Sequence, residues 1–440
     1  MNILHRITAL ALSVAASSLA GASKPNIILM VVDDLGYADV GVHGCREFAT
    51  PNIDSIANNG LRFTSGYVSA PVCAPSRAGF LTGRYQDRFG FEGNPAPGTS
   101  WGLPLTETTI ADRLKSCGYR TAAFGKWHLG EKPEFHPMQR GFDEFFGFLS
   151  GMHDYFKAND PKWGAIMRGR EPAELKEYLT FEIAREGCRF IQEQKDNPFF
   201  LYLSFNAPHI PLQAPEEYLK KTAHIADRRR ASYAAMVLAL DDAVGQVLEK
   251  LRATKLESET VIFFLSDNGG PLIAGSAINE SRNDPLRGSK IELWEGGIRV
   301  PFFIQWKGKV PAGRVVDEPI ISLDILPTAL ALAGVEAQPG WNLDGVNLLP
   351  LLKDQNAHLP RERLFWKWND RDYAVRQGEW KLVRVKSEKG LFDLRADIGE
   401  SVDRTGERGQ LAQDLKSWWN GWDEKNSKVK LRSANEHKDE

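Results

Sequence analysis

The stretch Ile27 to Asp34, IILMVVDD, decides the fold: six apolar residues run without interruption and then meet two adjacent acids. A strand with one wet face would alternate apolar and polar side chains. A continuous run suits a strand covered on both faces, as in a parallel sheet with helices on either side. The form recurs. Thr121 to Phe124 leads into Gly125-Lys126-Trp127-His128, and Phe199 to Phe205 (FFLYLSF) leads to Asn206 and then His209. Val261 to Leu265 (VIFFL) ends at Ser266-Asp267-Asn268. Between these runs, Thr50-Pro51 reads as an N-cap with proline in the first turn of a helix that stops near Gly60. Ala231 to Leu251 carries apolar residues at helical spacing. Strands alternating with helices predict an α/β fold with a large, mostly parallel (mixed) sheet flanked by helices.

In open α/β sheets, ligands bind beyond the carboxyl ends of the strands. Asp33, Asp34, Lys126, His128, His209, Asp267 and Asn268 all stand at or just past such ends, while the strand interiors carry almost no charge. Asp33-Asp34 and Asp267-Asn268 together offer three carboxylates and an amide oxygen, a donor set that suits Ca²⁺ or Mg²⁺. The alternative for an Asp-Asp pair is a helix N-cap with a solvated neighbour. No Cys/His cluster has zinc-type spacing.

Cys73-Ala74-Pro75-Ser76-Arg77 is the second focus. Pro75 suits a first helical turn, which places Cys73 beside a helix N-terminus where free N–H groups favour anions. The residues alone leave two readings open. One is a cysteine nucleophile with Arg77 supporting bound charge. The other is a small buried cysteine before a helix.

Composition sets the outer limits. The chain has 440 residues, 42% hydrophobic and 25% charged, which excludes disordered, collagenous and coiled-coil classes. Lys+Arg 55 against Asp+Glu 57 leaves a net charge of -2, so no global basic field points to nucleic acid. Residues 1–22 read as a signal peptide: a short basic start, an apolar core from Ile7 to Leu19 and Ala20-Gly21-Ala22 as the cleavage pattern. No other stretch reads as long and apolar enough to span a bilayer, so an exported protein without stable membrane insertion is expected. Residues 23–354 form the expected catalytic domain. From residue 355 to 424 short alternating segments (Leu364 to Trp368, Tyr373 to Arg376, Trp380 to Val385, Leu391 to Leu394) predict a small antiparallel-sheet subdomain. Residues 425–440, rich in Lys, Glu, Ser and Asn, read as a disordered tail. Setting Cys73 aside, Cys45, Cys117 and Cys188 could supply one disulfide of undetermined pairing. Arg228-Arg229-Arg230 reads as a solvated charge run.

The block CAPSRAGFLTGR, a C-x-P-x-R followed by A-x-x-x-T-G-R, resembles the signature of the sulfatases. The resemblance covers almost the whole chain after residue 22. It takes in VVDDLGYADVG, TPNIDSIANNGLRF, GKWHLG, NAPHIP, FFLSDNGG, LRGSK, EGGIRVP, GEWKLVR and LFDLRADIGE in that order. It implies an alkaline-phosphatase-like fold and hydrolysis of sulfate esters. It further implies that Cys73 is oxidised to formylglycine by a maturase that binds only transiently. In that chemistry the hydrated aldehyde attacks sulfur, and its second hydroxyl then eliminates sulfate. Asp33, Asp34, Asp267 and Asn268 match the family's calcium ligands, with residue 73 completing the shell. Arg77 matches the residue that holds the diol, and Lys126 and Lys290 match two sulfate-contacting lysines. His128 matches the base and His209 the proton donor to the leaving oxygen.

Specificity is less legible. The polar segment from Gly147 to Glu174 is expected over the rim, with His153, Asp154 and Tyr155 suited to sugar hydroxyls and Arg168 or Arg170 to a second anionic group. GFLSGMHDYF resembles bacterial sulfatases of sulfated polysaccharides, which makes a sulfated carbohydrate, or another sulfate ester, the expected substrate; the short signal peptide and the family likeness make the bacterial periplasm or exterior the expected location. Trp294 reads as core or stacking platform, and Trp366, Trp368, Trp418, Trp419 and Trp422 read as packing. The competing readings are a phosphonate or phosphodiester hydrolase of the same superfamily, a retired sulfated-glycan-binding protein, and a hydrolase using the Cys73 thiol and His128 directly.

Overall fold

The computed structural model describes residues 24–272, 279–354 and 356–432. The expected signal peptide and the last eight residues lie outside the described residues. The apolar runs form the centre of a ten-stranded sheet. Its five middle strands, Thr260–Ser266, Asn26–Val32, Phe199–Ser204, Arg120–Lys126 and Glu144–Phe148, are parallel and adjacent in that order. In register, Val31 pairs with Ser204 on one side and Leu265 on the other, so the chemistry-bearing ends of three strands align. Phe302–Gln305 and Met167–Arg168 flank the parallel core antiparallel, and Leu61–Phe63, Arg314–Val316 and Glu171–Pro172 complete the sheet. The mixed α/β sheet expected from the sequence is what forms.

Alternate residues of the first strand explain the continuous apolar run. Ile28, Met30 and Val32 pack under the helices Pro51–Asn58, Leu179–Glu193 and Arg228–Ala253. Ile27, Leu29 and Val31 pack under Cys73–Thr82, Ile110–Ser116 and Ile325–Leu332. Each of these six side chains is fully buried, a favourable transfer of about 1.5–3 kcal/mol apiece.

Several expectations need correction. Thr50 does not cap the helix Pro51–Asn58. The Asp241 carboxylate of the neighbouring helix does so, accepting from Asn52 N at 3.1 Å and Ile53 N at 2.8 Å. The helix Arg228–Ala253 is long and apolar enough to cross a membrane, contrary to the reading of no such stretch, but it serves as a core helix with its apolar window mostly buried. Arg230 is not solvated. It is buried and reaches Asp39 and Glu47 at 2.7 Å each. All four cysteines are free.

The four-stranded antiparallel sheet expected at the C-terminus is present as Arg363–Trp368, Asp372–Gln377, Trp380–Val385 and Glu388–Asp393. The helix Gly409–Asp423 covers one face, through Trp419 and Trp422. The other face packs on the large sheet's layer, with Trp366 against Tyr67 and its indole N–H donated to Val68 O at 2.7 Å. Trp294 is buried at this junction, edge-on to Phe392, and so belongs to the core. Residues 425–432, read as disordered, run back along the large domain: Leu431 N donates to Gly90 O and Ser427 N to Asp87 O. Backbone pairing, which composition does not reveal, holds them.

Candidate active site

The helix Cys73–Thr82 is buried over all ten of its residues and points its N-terminus at the strand ends. A buried helix end must have its free N–H groups met; Asn94 Oδ1 accepts from Ala74 N at 3.0 Å. Cys73 Sγ lies 3.5 Å from Asp33 Oδ1 and 3.2 Å from Lys290 Nζ. Burial, then the Asp33 carboxylate, push the thiol up to about 12. As encoded it is protonated at neutral pH and a weak nucleophile, which disfavours direct thiolate chemistry.

Around it the structure brings together all the residues that the strand ends and the signature singled out. Asp33, Asp34, Cys73 and Asp267 offer ligand atoms that all lie within 4.8 Å of one another. Asn268 Nδ2 donates to Asp34 Oδ1 at 2.6 Å, and its Oδ1 is buried with no hydrogen-bond partner. Lys126 Nζ stands 2.5 Å from Asp33 and Lys290 Nζ 2.7 Å from Asp34. Burial opposes charge on Asp33, yet Lys126, with His209, Arg77 and Lys290, holds its carboxyl below the usual range. Burial and then Asp33 push Asp267 well above that range. Three carboxylates thus face three cations in a dry site. A divalent cation entering with a sulfate dianion leaves that balance unchanged.

Arg77 is immobilised from three sides. It donates to Asp267 Oδ2 through Nε at 2.9 Å, and through Nη1 to Ser204 Oγ at 2.5 Å and Tyr202 OH at 3.0 Å. The sequence reading missed Tyr202 and Ser204. Their signal was available: they are the two polar atoms on alternate positions of an otherwise apolar strand. Asn279 was missed as well; its Nδ2 donates to Asp34 O at 3.0 Å and Pro208 O at 3.3 Å.

His128 sits in the left-handed region at φ +60, as does Asp34 at φ +67. Such conformations in non-glycine residues concentrate at functional sites. Burial, then Lys126 and Arg77, hold the His128 imidazole below its ordinary proton affinity, and its Nδ1 is without a partner. Gly151 makes room for the ring: a Cβ there would stand 2.6 Å from His128 Nε2. His209 Nδ1 lies 2.7 Å from Ile210 O, which assigns the proton of the neutral ring to Nδ1 and turns Nε2, 3.6 Å from Asp34, toward the site. Burial lowers its proton affinity, against the raising effect of Asp33 and Asp34.

The expected sugar-binding residues are not brought to the mouth. His153 is buried with both ring nitrogens on backbone carbonyls, Asp154 O at 2.8 Å and Gly164 O at 3.0 Å. Asp154 is taken up by Phe156 N, Lys157 N and Gln213 Nε2. The buried Tyr155 hydroxyl lies 2.7 Å from both the Asn206 and His209 carbonyls, so it braces the His209 loop from below. Arg168 pairs with Glu186 on the outer helix at 2.7 Å. Arg170 lines an open surface cavity of about 770 Å³ with Glu107, Asp112 and Glu134, apart from the residues around Cys73. The segment folds into short hairpins that satisfy their own polar groups, which a polar sequence does not distinguish from a binding rim.

Comparison with known proteins gives the family. The sulfatase family profile matches residues 25–335, and a profile for the C-terminal region of N-sulphoglucosamine sulphohydrolase matches residues 289–417. N-acetylgalactosamine-6-sulfatase of Sus scrofa is 35% identical over 395 residues, covering 84% of this chain and 74% of that protein. Arylsulfatase A of Homo sapiens is 36% identical over 412 residues, covering 87% and 79%. The crystal structure of Ps i-CgsB in complex with k-i-k-neocarrahexaose superposes with a TM-score of 0.89 at 36% identity, covering 94% of this chain and 96% of that one. With its signature cysteine, acid cluster and lysines gathered at one point, the chain belongs to the sulfatase family and is a sulfuric ester hydrolase.

Proposed function

We propose that the chain removes sulfate from a sulfated carbohydrate after export, using a formylglycine made from Cys73 and a calcium ion held by Asp33, Asp34, Asp267 and Asn268. The setting of Cys73 carries this reading: it heads a buried helix, with Sγ 3.2 Å from Lys290 and 3.5 Å from Asp33, the acid that Lys126 and Arg77 also face. The site gathers three cations where an anion would sit.

The donor set fits calcium: hard oxygens throughout, one of them a buried amide oxygen with no other partner. Bound there, calcium would supply positive charge to sulfate oxygens and ease ionisation of a hydroxyl at residue 73. A hydrated aldehyde at that residue would supply one hydroxyl for attack and a second for release of sulfate.

The chain's own residues do the rest. Arg77, fixed by Tyr202, Ser204 and Asp267, holds negative charge beside residue 73. Lys126 and Lys290 stand on Asp33 and Asp34, from where their ammonium groups reach the sulfate oxygens and offset charge as it develops. His128, neutral and with a free Nδ1, accepts a proton. His209, its Nε2 turned inward, delivers one to the leaving alcohol oxygen from its imidazolium form, which Asp33 and Asp34 favour against burial. The carbohydrate class is supported by the N-acetylgalactosamine-6-sulfatases and the neocarrahexaose complex among the relatives. Export is supported by the apolar segment from Ile7 to Leu19.

Co-expression with a formylglycine-generating maturase, followed by assay of sulfate release from sulfated glycans, an aryl sulfate and an aryl phosphate, tests the reading. Release that requires residue 73 to carry the aldehyde by peptide mass, and that is absent in Cys73→Ala, is the expected result. A matured enzyme that releases phosphate but no sulfate, or neither, would overturn it.

A further inference from the structure

Among the described residues, nine non-glycine residues have positive φ, and Ile291 at φ +67 is the one apolar and β-branched side chain in that set. A β-branched residue is a genuine outlier there, because its Cβ substituents crowd the backbone. Two others of the nine, Asp34 and His128, belong to the active site, and Ile291 directly follows Lys290.

The conformation is imposed by hydrogen bonds on both sides. Glu292 N donates to Ser289 O at 3.0 Å, closing a four-residue turn with Lys290 and Ile291 at its centre. Ile291 N donates to Pro71 O at 2.9 Å, tying the turn to the segment that leads into Cys73. Glycine is the residue for the third position of a turn with φ near this value. Core packing does not account for isoleucine here, because Ile291 is 40% exposed. A strained backbone presenting an apolar group to solvent beside a substrate-binding cation points to a role in binding.

We propose that Ile291 is a substrate-contacting, specificity-determining residue: it forms the apolar wall of the mouth beside Lys290 and packs against the C–H face of the sugar ring that carries the scissile sulfate. The proposal rests on the sulfatase reading above. Lys290 meets the sulfate, and the next side chain meets the ring to which that sulfate is attached. Sugar rings have apolar C–H faces, whereas a free sulfate ion has none.

The test compares the matured enzyme with Ile291→Gly and Ile291→Val. KM and kcat are measured on N-acetylgalactosamine 6-sulfate and k-i-k-neocarrahexaose, and inhibition is measured with inorganic sulfate. Sulfate release from an aryl sulfate by the unaltered enzyme checks the underlying sulfatase reading separately. For I291G the expected result on the better carbohydrate is a KM raised about tenfold, equivalent to ~1.4 kcal/mol of lost contact. Inhibition by inorganic sulfate is expected to change less than twofold, and Tm to hold or rise as the backbone relaxes. I291V restores most of the KM. An unchanged carbohydrate KM overturns the proposal. So does a parallel loss of inorganic sulfate inhibition, which would mean that Ile291 merely positions Lys290. A fall in Tm with equal losses on every ligand overturns it as well.

Discussion

Replacing Lys381 by methionine should destabilise the protein strongly at pH 8 and less at pH 5.5. Lys381 lies on the strand Trp380–Val385 and is fully buried, with Nζ 2.8 Å from Glu295 Oε1 and 2.9 Å from Glu400 Oε1. Glu295 is also held by Arg299 at 3.0 Å and the Tyr67 hydroxyl at 2.6 Å, whereas among the described residues Glu400 ion-pairs with Lys381 alone. Burial pushes Glu400 up to about 7; burial opposes charge on Glu295 too, but Lys381, Arg299 and Arg376 keep that carboxyl low. Removing one partner of a buried ion pair costs about 3–5 kcal/mol, because the remaining charge is left in a dry site.

The pH dependence follows from the direction of the Glu400 shift. An acid raised in the fold costs stability once pH passes its unfolded value near 4.3, and the cost grows until pH passes the folded value. Without Lys381 the folded value climbs further, so the penalty relative to the parent is largest at pH 8. On acidification to pH 5.5 it shrinks by about 1.4 kcal/mol at most, because pH 8 lies only one unit above the parent's folded value of about 7. Urea denaturation of parent, K381M and K381M/E400Q at both pH values measures this, and the double variant should lose most of the extra pH dependence. Equal stability of parent and K381M at pH 8, or a penalty that grows on acidification, would refute the reasoning.

Three other perturbations test the site. Gly151→Ala should lower kcat about 100-fold, the scale of a displacement near 1 Å, because the added Cβ drives into the His128 ring; an unchanged kcat would show that His128 is not positioned there for chemistry. Calcium at 100 times its Kd should stabilise chelator-treated protein by about 2.7 kcal/mol, and Asp267→Ala should abolish that gain in a thermal shift assay. Arg168→Ala should leave kcat/KM unchanged and cost ~1 kcal/mol of stability or less, because the half-exposed guanidinium serves an ion pair on the outer helix.

The uninterrupted run from Ile27 to Val32 was enough to predict a doubly covered parallel strand, because only burial on both faces rewards six apolar residues in a row. Strand ends carrying Asp33, Asp34, Lys126, His128, Asp267 and Asn268 were legible for the complementary reason: charge at the edge of an apolar run has few places to go except a site. The supports of that site were harder to read. Tyr202 and Ser204 hold Arg77 across 125 and 127 residues of chain, and Asp241 caps a helix begun at Pro51, so each contact exists only once the sheet has formed. The placements of His153, Tyr155 and Arg168 against protein partners were hidden for the same reason. A polar side chain in a loop looks alike in sequence whether it faces a ligand or satisfies a nearby carbonyl, and local backbone geometry decides which.

The linear chain therefore determined the layers, the signature helix and the candidates for the reacting groups, since periodicity and motif are local properties. Tertiary structure alone decided that the thiol is buried among cations, that Gly151 seats His128, and that Ile291 takes a left-handed conformation next to Lys290. Those depend on electrostatic fields, steric limits and backbone angles set by residues distant in the chain, and no local pattern encodes them.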